Sequence, residues 1–219
     1  MTIPERLRPT IHTFCCDMWD GYLGAAADFI AAHPEVKARI VIDRFHVAQN
    51  YRDDFDALRK QECRRLRQEL PEEIYKEVVG GMHWVLRHNH ANLDEDDKVR
   101  LRTLFQYTPK LHQAYTLREE LTAIFNMDLT LAEGRLRLQK WAAKVERKAS
   151  HCFDKFLKTL RNHLDMIANY FHKRANSGFV EGLNNKLKTI TRRSYGLKRI
   201  DSLFRRLWLD LNGYNYFLA

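Results

Sequence analysis

Apolar residues recur at helical spacing along most of the chain. The clearest stripe runs from Ser150 to His172, where Phe153, Phe156, Leu157, Leu160, Leu164, Ile167, Ala168 and Phe171 follow the i, i+3, i+4, i+7 pattern of one long helix with a packing face. Upstream, Arg52 to Leu70 reads as a highly charged helix with Phe55, Leu58 and Leu66 as its apolar minority, stopped by Pro71. Glu72 to Arg87 follows, interrupted at Gly80 and Gly81. The acids Asp94 to Asp97 suit the first turn of a helix, whose dipole favours them there, with Val99, Leu104 and Phe105 on its core face. Pro109 opens another helix that turns Leu111, Tyr115, Leu121, Ile124 and Phe125 inward. Thr130 and Glu133 form a capping box ahead of Leu136, Trp141 and Val145.

Near the N-terminus the period changes. Ile11 to Cys16 and Arg39 to Ile42 are short, β-branched runs that end at Asp17 and Asp43. Between them, Tyr22, Ala25, Ala26, Phe29 and Ile30 stand at helical spacing until Pro34. Strand, helix and strand predict a parallel, right-handed βαβ unit. Open α/β sheets do their chemistry beyond the carboxyl ends of such strands. Asp17 and Asp20 suit a helix N-cap equally well, and the pattern leaves capping and chemistry open.

Towards the other end, a helix starts at Asn176, Ser177 or Gly178 and runs to Tyr195 and Gly196. One side carries Phe179, Val180, Leu183, Leu187 and Ile190; the other carries Glu181, Asn184, Asn185, Lys188 and Arg192. An acid early and bases late is what the helix dipole favours without any function. One carboxylate, two amides and then only cations also suit a surface that handles phosphate. A final amphipathic helix, DSLFRRLWLDLNG, precedes an aromatic tail of Tyr214, Tyr216 and Phe217.

Composition narrows the class. A hydrophobic fraction of 45% is enough for a core, and a charge of +9 points to an anionic partner. Between Glu181 and Arg206, eight cations, Lys198 among them, face two acids, so this short segment holds two thirds of the net charge and gains affinity for nucleic acid by counterion release. Cys15, Cys16, Cys63 and Cys152 lack CxxC or zinc spacing and read as reduced thiols, while His83, His88 and His90 read as loop and surface residues. No apolar run approaches the about 20 residues of a membrane span, and MTIPERLRPT lacks an apolar signal core. The expectation is a cytoplasmic protein with no membrane partner.

Three motifs carry a family resemblance. SGFVEGLNNKLKTITRRSYG resembles the C-terminal signature of bacterial insertion-sequence transposases of the DDE type, in the ISL-three branch. CCDMWDGYL is similar to the second carboxylate motif of that family, and IVIDRFHVAQNY to its Asp-Arg-Phe-His sequence after the next strand. The resemblance implies that Asp17 and Glu181 are the second and third of three catalytic, metal-binding carboxylates. It also implies that Lys188, seven positions after Glu181, faces DNA, on the side where Asn184, Asn185, Arg192 and Arg193 suit a phosphate backbone, and that Asp43 and His46 shape the site, the other reading being a strand-end Asp43 that caps a helix in which His46 packs or points to water. The implied fold is α/β: a ribonuclease-H-like domain, mainly α by residue count because residues 51–164 form a helical insertion.

The implied cofactor is Mg²⁺ or Mn²⁺, since two such ions between three carboxylates activate a water or 3′-hydroxyl and stabilise the leaving oxygen. The implied partners are DNA at the element ends, and intact transposase or a second copy of the chain. In the family, zinc-binding and helix-turn-helix segments and the first aspartate lie upstream of the part resembled, and sixteen residues precede Asp17 here. Residues 1–219 are therefore expected to be a truncated DDE domain that binds metal weakly and is inactive alone, its shortened sheet leaving an unpaired edge. The alternative is a DNA-binding remnant that interferes with intact transposase.

Overall fold

The structure, a computed structural model, describes residues 3–148, 151–194 and 199–213, and the chain divides into two compact units, Met1–Ala175 and Asn176–Ala219. Six positions singled out in the sequence, Ser150, Tyr195, Gly196 and the aromatic Tyr214, Tyr216 and Phe217, lie outside the described residues, as does Lys198.

In the first unit, β1 (Thr13–Cys16) and β2 (Arg39–Ile42) pair in parallel, with Thr13 opposite Arg39 and Cys16 opposite Ile42. Helix α1 (Asp20–Ala32) connects them. The strand–helix–strand expectation holds, although β1 begins at Thr13 instead of Ile11. The inward face of α1 differs: Leu23 and Ala26 are buried, while Tyr22 and Ala25 are exposed. Tyr22 sits edge-on against Trp19 at the surface, with ring centroids 4.7 Å apart, and Leu23 takes the core position.

Helix α2 (Arg44–Glu69) begins directly after β2, eight residues earlier than the charge pattern suggests, because Asp43 caps it. Its buried Val47, Ala48, Tyr51, Phe55 and Leu66 make it the spine of the helical block. Helices α3 (Glu72–Val79) and α4 (Met82–Val85) are separated where Gly81 takes φ 72°, a conformation open to glycine at little steric cost. Asp94 caps α5 (Glu95–Tyr107), so the acidic block is indeed a helix start. Val99 is exposed, however, and Leu101 is buried with Leu104, on the side where the Trp84 indole N–H donates to Asp97.

Helix α6 (Pro109–Asn126) buries all five expected residues. Helix α7 (Leu131–Arg147) has the capping box and buries Trp141 and Val145 with Leu138; Leu136, a half-turn off that line, is exposed.

The segment from His151 to Lys173 is not one helix. A short 3₁₀ turn (His151–Phe153) leads into α8 (Asp154–Asn162), α9 (Leu164–Ala168) and α10 (Tyr170–Lys173), with breaks at His163 and Asn169. The apolar stripe survives the breaks: Phe153, Phe156, Leu157, Leu160, Ile167, Ala168 and Phe171 are all buried. Breaking the helix lets one stripe pack first on α2 and then, through α9, on β2. Arg39 donates its backbone N–H to the carbonyl of His12, just ahead of β1, and Asp43 to that of Cys16, so by alternation the Ile40 carbonyl points away from β1. Asn169 Nδ2 donates to that carbonyl at 2.8 Å. On the β2 side, therefore, a helix and one side-chain hydrogen bond stand against the sheet edge, and no third strand pairs with the sheet among the described residues.

The second unit pairs α11 (Gly178–Arg193) with α12 (Ile200–Asn212). Lys186 Nζ lies 2.8 Å from Asp210 Oδ2, and Ile190 and Leu207 are buried. The predicted apolar side of α11 is divided: Ile190 is buried, Leu183 and Leu187 are half-buried, and Val180 and Phe179 are exposed, Phe179 at 81%. Asp210 stands near the end of α12 and already meets Lys186, so among the described residues of this unit the first turns of α11 have no helix opposite them.

Phe156→Ala should cost about 3–5 kcal/mol of unfolding free energy in urea, and Leu136→Ala within about 0.5 kcal/mol, although both leucine and phenylalanine lie on helical stripes in the sequence. Similar losses for the two would contradict this core.

Candidate functional site

The two N-terminal aspartates stand side by side in sequence register. Asp17 follows Cys16, Asp43 follows Ile42, and Cys16 and Ile42 are the last paired residues of the parallel strands. Their surroundings differ. Asp43 is 2% exposed; its backbone N–H donates to the Cys16 carbonyl at 2.9 Å, its Oδ1 accepts the Phe45 N–H at 2.6 Å, and the Cys15 thiol approaches Oδ2 at 3.8 Å. It is the N-cap of α2. Asp17 is half-buried, and its Oδ1 accepts the Trp19 N–H in a tight turn. The N-cap of α1 is Trp19, so neither Asp17 nor Asp20 caps that helix; Asp20 sits in its first turn. His46, one turn into α2, is half-buried and edge-on to Phe45. Burial and the adjacent Asp17 charge both push the Cys16 thiol above its usual range, which keeps it protonated near neutrality.

Glu181 lies in the other unit, in the first turn of α11, and is exposed. Two side chains order this helix start: Asn176 Oδ1 accepts the Gly178 N–H at 3.0 Å, and the Ser177 hydroxyl donates to Glu181 Oε1 at 2.6 Å. Sequence reading missed Ser177 as the residue that orients Glu181, although its position four residues ahead of the acid is visible as a helical neighbour.

Further along α11, Asn184, Lys188 and Arg192 line a shallow open groove with Leu187 and Thr191. Asn185 is exposed beside this row. Arg193 sits round the helix towards α12. Lys186, Arg193 and Arg206 all act on Asp210, whose carboxyl is held below its ordinary range first by the Lys186 hydrogen bond and more weakly by the charges of Lys186, Arg193 and Arg206. The cations of α11 therefore split into an open row, Lys188 and Arg192, and a flank on the α12 side, where Lys186 pairs with Asp210 and the exposed Arg193 acts on that carboxyl only through its charge.

Among the described residues, no group of three or more His, Cys, Asp or Glu side chains is placed to hold a metal ion. Among them, too, no helix is long and apolar enough to cross a membrane.

A family model described as a transposase matches residues 2–207. The chain is 31% identical over 179 residues to the transposase for insertion sequence element IS1001 of Bordetella parapertussis, covering 81% of this chain and 43% of that protein. It is 25% identical over 134 residues to the transposase for insertion sequence element IS1557 of Mycobacterium tuberculosis, covering 61% of this chain and 30% of that protein. The chain thus spans less than half the length of these curated relatives. No solved structure matches it.

Replacing Asp43 separates its structural role from any other. Asp43→Ala should lose about 1–2 kcal/mol in urea unfolding because the first turn of α2 loses its acceptor, whereas Asp43→Asn, which keeps one, should lose less than about 0.5 kcal/mol. Equal losses would show that the negative charge, not the cap, is what the fold uses.

Proposed function

The chain belongs to the ISL-three family of DDE insertion-sequence transposases, and on that premise we propose that it acts in DNA transposition, with Asp17 and Glu181 as metal-binding catalytic carboxylates of a ribonuclease-H-like centre. The family match over nearly the whole chain carries this reading. It is supported by Asp17 standing just past a parallel strand and by Glu181 being held at the start of a helix.

The donors fit the cofactor in kind, since exposed and half-exposed carboxylate oxygens suit Mg²⁺ or Mn²⁺, which keep several waters. When bound, such ions supply Lewis acidity to the attacking and leaving oxygens of a phosphodiester. The chain's own part is to orient: Trp19 N–H fixes one oxygen of Asp17, and the Ser177 hydroxyl fixes one oxygen of Glu181. Asp43 and His46 shape the strand ends beside Asp17. Asn184, Asn185, Lys188, Arg192 and Arg193 hold the DNA backbone, with Lys188 and Arg192 contributing most because the groove leaves them open. The setting is the cytoplasm and the partner is DNA at the element ends, with residues 51–164 as a helical insertion in the catalytic domain.

Residues 1–219 contain counterparts of the second and third acids of the family pattern. We propose that this polypeptide alone binds metal weakly and turns over little or not at all. The open groove on α11 favours a second reading beside it: a DNA-binding protein that interferes with intact transposase or associates with itself.

Manganese binding followed by electron paramagnetic resonance should be weak and should disappear in Asp17→Asn and in Glu181→Gln. A manganese-dependent nicking assay should give no product above the Glu181→Gln background; robust nicking by the wild-type chain would refute the inactive reading. For DNA, Lys188→Ala with Arg192→Ala should lower the slope of log affinity against log salt by about 2, and Arg193→Ala by less than about 1. A slope unchanged in the double variant would remove α11 from the DNA interface.

A further inference from the structure

Helix α7 carries a second basic row, in the first unit, that the motif-based reading of DNA contacts leaves unused. Arg137, Lys140, Lys144 and Arg147 recur at intervals of three and four, so they form one stripe, and at about 1.5 Å per residue it is about 15 Å long. The stripe forms one wall of a groove whose other wall is α6 and whose floor includes Ala123, Ile124, Met127 and Trp141. Both walls are fixed in place: the Trp141 indole donates to the Leu117 carbonyl at 2.9 Å, and Gln113 Nε2 donates to the Lys148 carbonyl at 3.1 Å just past the end of α7.

One nearby acid, Glu120, lines the groove and pairs with the stripe's own Lys144, and Glu133 feels the charge of Arg137; the others are engaged away from the stripe. Glu133 closes the capping box with Thr130, Glu146 pairs with Arg161, and Glu120 binds Lys144 at 2.5 Å. Asp165 takes Arg135, which stands off the stripe, at 2.7 Å. Among the described residues no acid lies within ion-pairing distance of Arg137, Lys140 or Arg147, and all three are exposed. The helix dipole accounts for cations in the last turn, where Lys144 and Arg147 stand, but not for Arg137 and Lys140 in the middle.

We propose that the α6–α7 groove is a second docking surface for duplex DNA, in which Arg137, Lys140 and Arg147 contact backbone phosphates. A duplex presents one phosphate per about 3.4 Å of axis on each strand but winds them round that axis, so a straight row about 15 Å long meets fewer than the four that the rise alone would give. This inference rests on the reading of the chain as a DNA-binding transposase but uses none of the α11 residues. The contacts are to phosphate, so the surface is blind to base sequence and serves to orient DNA, not to select it.

The test is binding of the full 219-residue chain to a fluorescent duplex oligonucleotide across a salt series. The triple variant Arg137→Ala, Lys140→Ala, Arg147→Ala should bind roughly tenfold or more weakly at moderate salt, with the salt slope reduced by about 2–3. A charge-matched control, Lys60→Ala, Lys76→Ala, Arg102→Ala, removes three exposed cations from other helices and should leave the slope near that of the wild type. All six side chains are exposed, and circular dichroism with unfolding curves confirms that both variants fold.

An unchanged slope in the α7 variant overturns the proposal, as does an equal loss in the control, which would mean that only net charge matters. Intact DNA binding with lost co-sedimentation of full-length transposase would assign the groove to a protein partner and also overturn it. The α11 double variant separates the two readings: loss there with none on α7 refutes this surface alone, and loss on α7 with none on α11 leaves this surface standing.

Discussion

Asp43 is the joint on which the first unit turns. Its backbone completes the two-stranded ladder, and its side chain accepts the Phe45 amide in the first turn of α2, so one residue ends the sheet and begins the helical block. Burying a carboxylate is costly unless hydrogen bonds hold it, and here a helix N-terminus and a thiol share that task. The direction of α2 is thereby tied to the strand ends. Because α2 contributes Tyr51, Phe55 and Leu66 to the core and packs against α6 and α8, the large helical mass takes its orientation from the same place as Asp17.

The sequence made local features legible where chemistry is local. The capping box at Thr130, the helix start at Asp94, the glycine break at Gly81 and the parallel strands before Asp17 and Asp43 each follow from a few adjacent residues. What it hid depends on partners far along the chain. The helix expected from Ser150 to His172 breaks at Asn169, whose side chain serves a carbonyl of β2, 129 residues away. Periodicity could not separate Leu136 from Leu138, since both sit in a leucine-rich helix and only the packing of α7 on α6 decides which turns inward. Spacing alone sets Phe179 and Val180 on an apolar face, but burial needs an opposing surface, and among the described residues of this unit α12 ends close to Lys186.

The site residues were likewise legible as types and not as roles. Spacing sets Lys186, Lys188 and Arg192 on one helix, yet only the position of Asp210 shows that Lys186 answers to α12 while Lys188 and Arg192 border open space. The distinction is physical. A cation already facing a carboxylate gains less from a phosphate, because binding must first give up an existing attraction. Ser177 and Trp19 escaped notice for the opposite reason: a hydroxyl four residues ahead of an acid and an amide two residues behind one are too common to signal anything until the geometry joins them.

The same reasoning favours Asp17 over its neighbour in register as the ligand in the proposed metal site. A carboxylate has about four lone-pair positions, so capping α2 does not by itself exhaust Asp43. Access does. A hydrated Mg²⁺ sheds its waters reluctantly and must reach the oxygen it binds, whereas Asp43 is 2% exposed between a helix end and Cys15. Asp17 is half-exposed, and the Trp19 N–H holds one of its oxygens in a fixed direction. Two aspartates one strand apart have thus been given different work by burial alone: the covered one sets where the helix goes, and the open one is left for the solvent side, where an ion and a phosphate could arrive.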